Sequence, residues 1–365
     1  MSKTPESVAE TDRSVVAQIG DFFPRRFLRN GHLQTLIANY KPRQYVLPEA
    51  EAHIIEVEPG TGSPENGTVG LEQARANVRR YGASYVLCQC HWQPDPSQCL
   101  TILLVHGLEG SANSQHVLGN STRAWAAGCN VIRMNMRNCG GTEDLSPTLY
   151  HSGLSGDVAA VMRALVRKKG LSAFALVGYS MGGNLVLKFA GEMGEHVPEY
   201  LKAVVGVSPA MDLGVSADAL HNISNRVYEW KFLLGLKRRF RRKAELFPQI
   251  YSTVGLERIG TLRQFDDQVT ARYSGFTGAD DYYDRAASAR VAAHIAAPAL
   301  VIHALDDPFV RMLPATRAAL LANHRLRLVE TAHGGHCAFL APAAGYDGYW
   351  AEKVLLEFLL SVTTP

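Results

Sequence analysis

The chain has 365 residues, of which 47% are hydrophobic and 19% are charged, and its formal net charge at pH 7 is +3. This composition is typical of a folded protein with a well-filled core, arranged as one domain or two. Because the net charge is small, it gives no general attraction to nucleic acid, and we expect no nucleic-acid partner.

The N-terminal region predicts no targeting or membrane segment. Residues 1–20 are polar and of mixed charge, which favours a flexible lead, and no apolar stretch has the length of a signal peptide core or a membrane span. A cytoplasmic location is therefore the default expectation. Residues 21–40 mix aromatic and Arg side chains, and we expect them to wrap onto the body of the protein. The Gly- and Pro-rich residues 58–70 predict an exposed loop or hairpin connection.

The six cysteines are spread thinly along the chain, unlike those of a disulfide-rich scaffold, and we expect mostly buried thiols. Cys88 and Cys90 could supply two metal ligands. However, alternate residues of a strand face opposite sides, and no second Cys or His pair has matching spacing. We therefore expect no metal ion.

Short apolar runs alternate with longer helical patterns from Ser84 onward. Several runs are apolar on both faces, as buried parallel strands are. The predicted strands are 85–92, 100–106, 130–136, 174–178, 203–207, 299–304 and 326–330. The predicted helices between them are 114–127, 156–168, 182–193, 313–323 and 349–360. This alternation predicts an α/β fold with a mostly parallel, doubly wound sheet flanked by helices.

Residues 211–297 interrupt the alternation with a helical, aromatic-rich and basic pattern that contains no clear strand. We predict a helical lid here, inserted between the two parts of the core, 21–210 and 298–365. Within the lid, residues 236–243 (LKRRFRRK) are strongly basic. They could make peripheral contact with anionic lipid headgroups or bind an acidic substrate, or they could be a solvated helix face.

A Gly-x-Ser-x-Gly pattern, with Ser180 between Gly178 and Gly182, directly follows a predicted strand and directly precedes a predicted helix. A serine on such a sharp turn has strained backbone angles, and side chains two residues away would collide with the neighbouring elements. The alternative is a glycine-rich turn that happens to contain a serine. The position between strand and helix favours Ser180 as a nucleophile.

A serine hydroxyl needs a nearby base, and that base needs an acid to fix its tautomer. After the lid, Asp306 and Asp307 end one predicted strand, and His333 and His336 follow the next. Gly334 and Gly335 give the loop freedom to aim the ring of His336, which favours it over His333. Pro308 restricts Asp307 to extended angles at the edge of the loop, whereas Asp306 could cap the turn, so Asp307 is favoured.

Acyl transfer also needs N–H donors for an oxyanion, and these are usually two backbone groups. The N–H of Met181, at the start of the helix after the nucleophile, is one candidate. The second candidate is the N–H of Leu108, in the His-Gly turn that follows an apolar strand.

With these pieces in place, the chain resembles the YheT-like branch of the α/β-hydrolases, which is related to the mammalian ABHD lipases. The likeness runs from about residue 22 and rests on several ordered motifs. These motifs are FLRNGHLQT at 27–35, HGLEGS at 106–111, RNCGG at 137–141, LYHSG at 149–153, GYSMGG at 178–183, DYY at 281–283, DDPF at 306–309 and GGH at 334–336.

The resemblance implies the α/β-hydrolase fold and a triad of Ser180, Asp307 and His336, with no metal or organic cofactor. Cys337 and Ala338 depart from the family, which often has Val or Ile and then Gly before Phe. The implied activity is that of a serine carboxylesterase or lipase-like hydrolase on a short-chain or lipid-type ester. The alternatives are an acyltransferase with the same triad and a non-catalytic binding protein on the same scaffold.

Overall fold

A computed structural model describes residues 20–62 and 67–363. Residues 1–19 of the predicted lead (1–20) lie outside the described residues. A nine-stranded sheet runs through the centre of the described chain. Its strands are β1 Glu51–Glu58, β2 Thr68–Val69, β3 Ser84–His91, β4 Thr101–Val105, β5 Asn130–Met134, β6 Phe174–Tyr179, β7 Leu201–Val207, β8 Ala299–Ala304 and β9 Leu326–Thr331.

The sheet has the strand order β2-β1-β3-β5-β4-β6-β7-β8-β9. The strands β5, β4, β6, β7, β8 and β9 pair in parallel, while β1, β2 and β3 join antiparallel at one edge. Every residue of β4, β5, β6 and β8 is buried, because helices cover both faces of this part of the sheet. The predicted mostly parallel α/β architecture is confirmed.

The principal helices of the described chain connect or cover these strands. They are α1 Gly31–Tyr40, α2 Leu71–Tyr81, α3 Gln115–Ala126, α4 Ser155–Lys169, α5 Met181–Met193, α6 Leu213–Leu220, α7 Arg226–Leu246, α8 Leu262–Phe265, α9 Ala279–Ala286, α10 Pro314–Ala322 and α11 Trp350–Thr363. None of the helices within the described residues is both long and apolar enough to cross a bilayer.

Alternate side chains of the strands fill two separate cores. Leu103 and Leu176 face the layer that contains α4 and α5, whereas Leu104 and Val177 face the layer of α3 and α11. The apolar side chains of α6, α7, α8 and α9 join the first of these cores. The interval 211–297 is therefore continuous with the first core, and every described element in it is helical. Its action as a lid stays a prediction.

The basic segment 236–243 is not a continuous solvated face. Leu236, Phe240 and Lys243 of α7 are buried, and the ammonium group of Lys243 donates to the carbonyl oxygens of Glu143 and Ser146. Burial lowers the pKa of Lys243 to about 7. Only part of the segment can therefore meet a solvent-exposed partner.

Candidate active site

Ser180 lies on the tight turn between β6 and α5, with φ 54° and ψ −116°. A Cβ atom at Gly178 would lie 2.1 Å from the carbonyl oxygen of Gly182, and a Cβ atom at Gly182 would lie 2.4 Å from those of Val105 and His106. Both glycines are therefore required by close backbone contacts. The turn has the strand-serine-helix geometry predicted from the sequence.

Backbone hydrogen bonds on both sides of Ser180 hold this strained conformation. Its N–H donates to Val207 O at 2.9 Å, and its carbonyl oxygen accepts from Asn184 N at 3.0 Å and from Ala210 N at 3.2 Å. A rare backbone conformation persists only where the surrounding structure fixes it in this way. The hydroxyl is consequently presented at a defined point above the carboxyl end of the sheet.

Asp307 follows β8 and is buried. One carboxylate oxygen accepts from His336 Nδ1 at 2.8 Å, and the other accepts from the N–H groups of Phe309 at 3.1 Å and Val310 at 2.9 Å. Burial by itself would raise the pKa of this carboxyl, but His336 and these hydrogen bonds outweigh it and lower the pKa. Asp307 is therefore an ionised acceptor fixed in orientation.

His336 lies in the loop after β9. Its backbone N–H donates to Thr35 Oγ1 at 2.8 Å, and its ring packs on Phe309 with centroids 4.3 Å apart. Burial disfavours the charged ring, but the Asp307 carboxylate outweighs this effect and holds the pKa of His336 well above its usual value. The pair has the acid-histidine arrangement that a serine hydrolase uses.

The neighbouring pair has a different arrangement. Asp306 accepts from the N–H of Gly335 at 2.8 Å, while its other oxygen lies 3.5 Å from Nδ1 of the partly exposed His333. Asp306 therefore fixes the glycine loop that carries His336. The structure pairs Asp307 with His336, which are the two residues that the sequence favours, and their catalytic roles stay predictions.

Ser180 and His336 approach the same part of the backbone. Val207 O, which accepts the N–H of Ser180, also lies 3.7 Å from Cys337 Sγ. The His336 ring nitrogen that does not contact Asp307, Nε2, is 3.6 Å from that sulfur. Among the described residues, the Ser180 hydroxyl has no hydrogen-bond partner, so the structure does not join it directly to the imidazole. Such bonds are often long in unliganded enzymes and shorten when substrate binds.

The two predicted oxyanion donors flank Ser180. Neither Leu108 N–H nor Met181 N–H donates a hydrogen bond within residues 20–62 and 67–363. A Cβ atom at Gly107 would lie 3.2 Å from Cβ of Ser180, so the loop after β4 runs directly beside the nucleophile. The geometry leaves both N–H groups available to an oxygen bound at Ser180.

The loop that contains Leu108 is tied down on both sides. His106 is buried, its Nε2 lies 3.1 Å from the N–H of Met136, and its Nδ1 lies 2.8 Å from Gly107 O. Burial lowers the pKa of His106 to about 4, so the ring is neutral and we assign its proton to Nδ1. On the other side, Glu109 accepts from Tyr150 at 2.7 Å and from Arg239 at 3.0 Å.

A largely apolar cavity opens beside Ser180, and Leu108 and Met181 line it as well. The cavity has a volume of about 110 Å³. Its apolar wall comes mainly from α6, α7 and α8 together with the loop after β8. This wall includes Leu213, Ala217, Leu220, Phe232, Leu236, Phe240, Leu262, Phe265, Phe309 and Val310.

The sequence profile described as alpha/beta hydrolase fold matches residues 101–342. The chain belongs to the α/β-hydrolase fold family. Its strand order and the serine turn after the central strand agree with this membership, and the family resemblance noted in the sequence is confirmed.

Curated proteins and a solved structure are also similar to this chain. The chain is 28% identical over 359 residues to the Escherichia coli protein named "Putative esterase YheT", covering 96% of each chain. It is 24% identical to a Saccharomyces cerevisiae monoacylglycerol lipase, covering 91% of this chain and 78% of that one. The Pyrococcus furiosus esterase Pf2001 shares the fold with a TM-score of 0.52 at 14% identity, covering 89% of this chain and 100% of that one.

Several residues that support the site of this α/β hydrolase were not predicted. Thr35 holds the backbone of His336, and Gln34 accepts from Leu340 N at 2.8 Å in the segment that follows. A Cβ atom at Gly31 would lie 2.1 Å from Asp306 O. The motif at 27–35, with its glycine and polar residues, indicated that this segment matters. It could not indicate its contacts, because these residues lie some 300 positions further along the chain.

Proposed function

We propose that this α/β hydrolase is a serine carboxylic-ester hydrolase, an esterase or lipase-like enzyme that works through an acyl-enzyme. One observation carries the proposal: a strained serine opens into an apolar cavity, and Phe309 of the cavity wall packs on the ring of a hydrogen-bonded Asp-His pair. A serine with only a structural role on a turn would need neither the cavity nor the Asp-His pair. The proposed roles are nucleophile for Ser180, base for His336 and orienting acid for Asp307.

In the proposed first step, Ser180 Oγ attacks the ester carbonyl while His336 Nε2 takes the hydroxyl proton. This step requires the ring to leave Cys337 Sγ and approach the serine. The carbonyl oxygen gains negative charge, which the N–H groups of Leu108 and Met181 would stabilise. His336 then returns the proton to the leaving alcohol, and Asp307 stabilises the charged ring throughout.

Water completes the reaction in the second step. His336 takes a proton from water, the hydroxide attacks the acyl carbonyl, and the acid leaves as Ser180 recovers its proton. No metal ion or organic cofactor takes part in these steps. An acyltransferase would form the same acyl-enzyme in the first step. In the second step, an alcohol would then take the acyl group in place of water.

The cavity supports an ester with an apolar acyl group. Its wall is mainly apolar, and burying hydrocarbon against such a surface is favourable. The names of the relatives point in the same direction, since they include a monoacylglycerol lipase and a mouse phospholipase. We propose short-chain or lipid-type carboxylic esters as the substrate class of this chain.

Labelling with a fluorophosphonate probe tests the proposal. The wild-type protein should become labelled, and Ser180→Ala should not, since the probe reacts with an activated serine. The fold of Ser180→Ala is checked by circular dichroism. Equal labelling of both proteins, or no labelling of either, would count against an activated Ser180.

Product analysis separates the hydrolase from the acyltransferase. The wild-type enzyme, without probe, is given p-nitrophenyl butyrate with and without added glycerol, and the products are separated and quantified. A hydrolase releases mainly butyric acid in both cases. Quantitative transfer of the butyryl group to glycerol would assign the acyltransferase instead.

A further inference from the structure

An apolar stripe on the outer face of α7 has no partner among the described residues. Ile223, just before the helix, is 91% exposed, and Val227, Trp230 and Leu234 are 71%, 66% and 53% exposed. Their spacing of four, three and four residues puts them on one side of a helix. Large side chains exposed together in this way are rare on a surface that faces only water.

A second exposed stripe lies on α1, next to the first. Leu33, Leu36 and Tyr40 are spaced at three and four residues and are 41%, 42% and 63% exposed. The two helices touch, because Lys231 donates to the Tyr40 hydroxyl at 2.8 Å and the His32 ring of α1 stacks on the Tyr228 ring of α7. The stripes therefore form one surface, which we call the α1–α7 face.

Most of the charged side chains in the two segments that form the α1–α7 face are positive. Residues 22–43 contain five Arg and Lys and no Asp or Glu. Between Ile223 and Lys243 the only acid is Glu229, which is buried and accepts from Leu262 N. Exposed cations of the same stretch flank the apolar stripe at Arg226, Lys231 and Arg238. At one end of α7, Glu257 pairs with Arg241. Exposed apolar side chains flanked by an excess of cations match the surface of an anionic lipid bilayer.

Both helices of this face also contact the candidate active site. The inner side of α7 contributes Phe232 and Leu236 to the cavity, and Tyr228 packs on Phe309 with ring centroids 5.3 Å apart. On α1, Thr35 holds the backbone of His336. A surface that rests on the α1–α7 face is thus one helix diameter from the cavity, about 10 Å.

We propose that the α1–α7 face docks the protein reversibly on anionic lipid bilayers. Val227, Trp230, Leu234 and Leu36 enter the boundary between headgroups and acyl chains, and Arg226, Lys231 and Arg238 contact the lipid phosphates. The exposed part of the basic segment takes part in this contact, while Lys243 faces inward. The inference concerns binding alone and does not require the proposed function to hold.

Trp230 provides an internal reporter for this docking. The full-length protein is mixed with vesicles of equal parts phosphatidylglycerol and phosphatidylcholine, or of phosphatidylcholine alone, and bound protein is measured by sedimentation. Binding to the anionic vesicles should be at least about tenfold stronger and should weaken with salt. The Trp230 emission, obtained as the difference between wild type and Trp230→Phe, should shift to shorter wavelength on binding.

Matched variants assign the contact to this face. Val227→Asp combined with Leu234→Asp should weaken sedimentation with anionic vesicles at least about tenfold, with circular dichroism and the unfolding midpoint unchanged. Leu321→Asp changes a leucine of α10 that is 56% exposed and should bind as the wild type does. Unchanged binding of the double variant, or a Trp230 emission that vesicles do not alter, would overturn the proposal. A dimer that the double variant dissociates, without vesicle binding by the wild type, would overturn it in favour of a self-association surface.

Discussion

At the scale of single residues, the position of the candidate nucleophile depends on two glycines. Ser180 occupies a backbone region that L-residues rarely adopt, at a typical cost of about 1–3 kcal/mol. The turn is possible because Gly178 and Gly182 have no Cβ atom, and neighbouring backbone segments occupy the space that a Cβ atom would need. Sequence analysis could predict these glycines, since their requirement follows from the turn alone.

Gly182→Ala should destabilise the fold and lower activity. Its Cβ would lie 2.4 Å from two carbonyl oxygens of the backbone, which cannot retreat as a flexible side chain can, so we expect a loss of about 2 kcal/mol or more. Gly156→Ala is the control, because a Cβ there meets nothing within 4 Å in α4, and alanine should stabilise that helix slightly. Chemical denaturation measures both, and equal stabilities of the two variants would contradict the close contact.

The pH dependence of activity should follow the raised pKa of His336. A base acts only when neutral, so kcat/KM should fall as the pH drops through that pKa, at a higher pH than for a histidine with the ordinary value of about 6.5. Asp307→Asn should lower kcat about 10⁴-fold and move this acid limb to lower pH. Asp306→Asn, at the neighbouring carboxyl, should leave the limb in place. An acid limb that Asp307→Asn does not move would argue against Asp307 as the partner of the base.

At the scale of elements, two helices shape the cavity. The helix α6 contributes Leu213 and Ala217 to its wall, and the inner side of α7 contributes Phe232 and Leu236. The sequence of residues 211–297 predicted helices here, but not the direction in which each apolar side chain points. Apolar residues occur on both sides of α7, so periodicity alone could not separate its inner face from its outer one.

Ala217→Phe should shorten the acyl chains that the enzyme accepts. Ala217 is buried in the cavity wall, so a phenyl ring there occupies space that a long acyl group would need. We expect kcat/KM for a p-nitrophenyl ester of a long fatty acid to fall at least about tenfold. The acetate ester serves as the internal control and should react nearly as with the wild type. Equal losses on both esters would show that the cavity does not hold the acyl chain.

The elements at the N-terminal edge of the sheet were largely missed in the sequence. In β1 only the four central residues are buried, and in α2 only Ala74, Asn77 and Val78 are, so neither has a long apolar pattern. The strands β4, β6 and β8 were predicted to within one or two residues, because buried parallel strands are apolar on both faces. An apolar sequence pattern reflects burial, so partly exposed strands and helices have weaker patterns and are harder to predict.

At the scale of the whole molecule, the segment after α1 joins the two ends of the described chain. Arg43 donates to both carboxylate oxygens of Glu352 in α11, at 2.6 and 2.7 Å, and its guanidinium lies 3.5 Å from the ring centre of Tyr349. The carboxylate is buried, which raises the pKa of Glu352. No sequence pattern indicated this pair, because its members are 309 residues apart.

Arg43→Met should cost roughly 3 kcal/mol of unfolding free energy, because it leaves a buried carboxylate without its main partner. Adding Glu352→Gln should restore part of that loss, since the charge is then removed as well. Arg242→Met is the control, because Arg242 pairs with Glu245 on the exposed surface, where such pairs contribute about 0–1 kcal/mol. Unfolding in urea measures all three, and a loss for Arg43→Met no larger than the control's would contradict the buried pair.

In the proposed mechanism, Ser180 carries the acyl group between two half-reactions. Rapid acid quenching of the enzyme during turnover of p-nitrophenyl butyrate, followed by peptide mass spectrometry, tests it most directly. We expect one butyryl group on the peptide that contains Ser180, and no such adduct in Ser180→Ala. A butyryl group on another residue, or turnover that persists at the wild-type rate in Ser180→Ala, would contradict it.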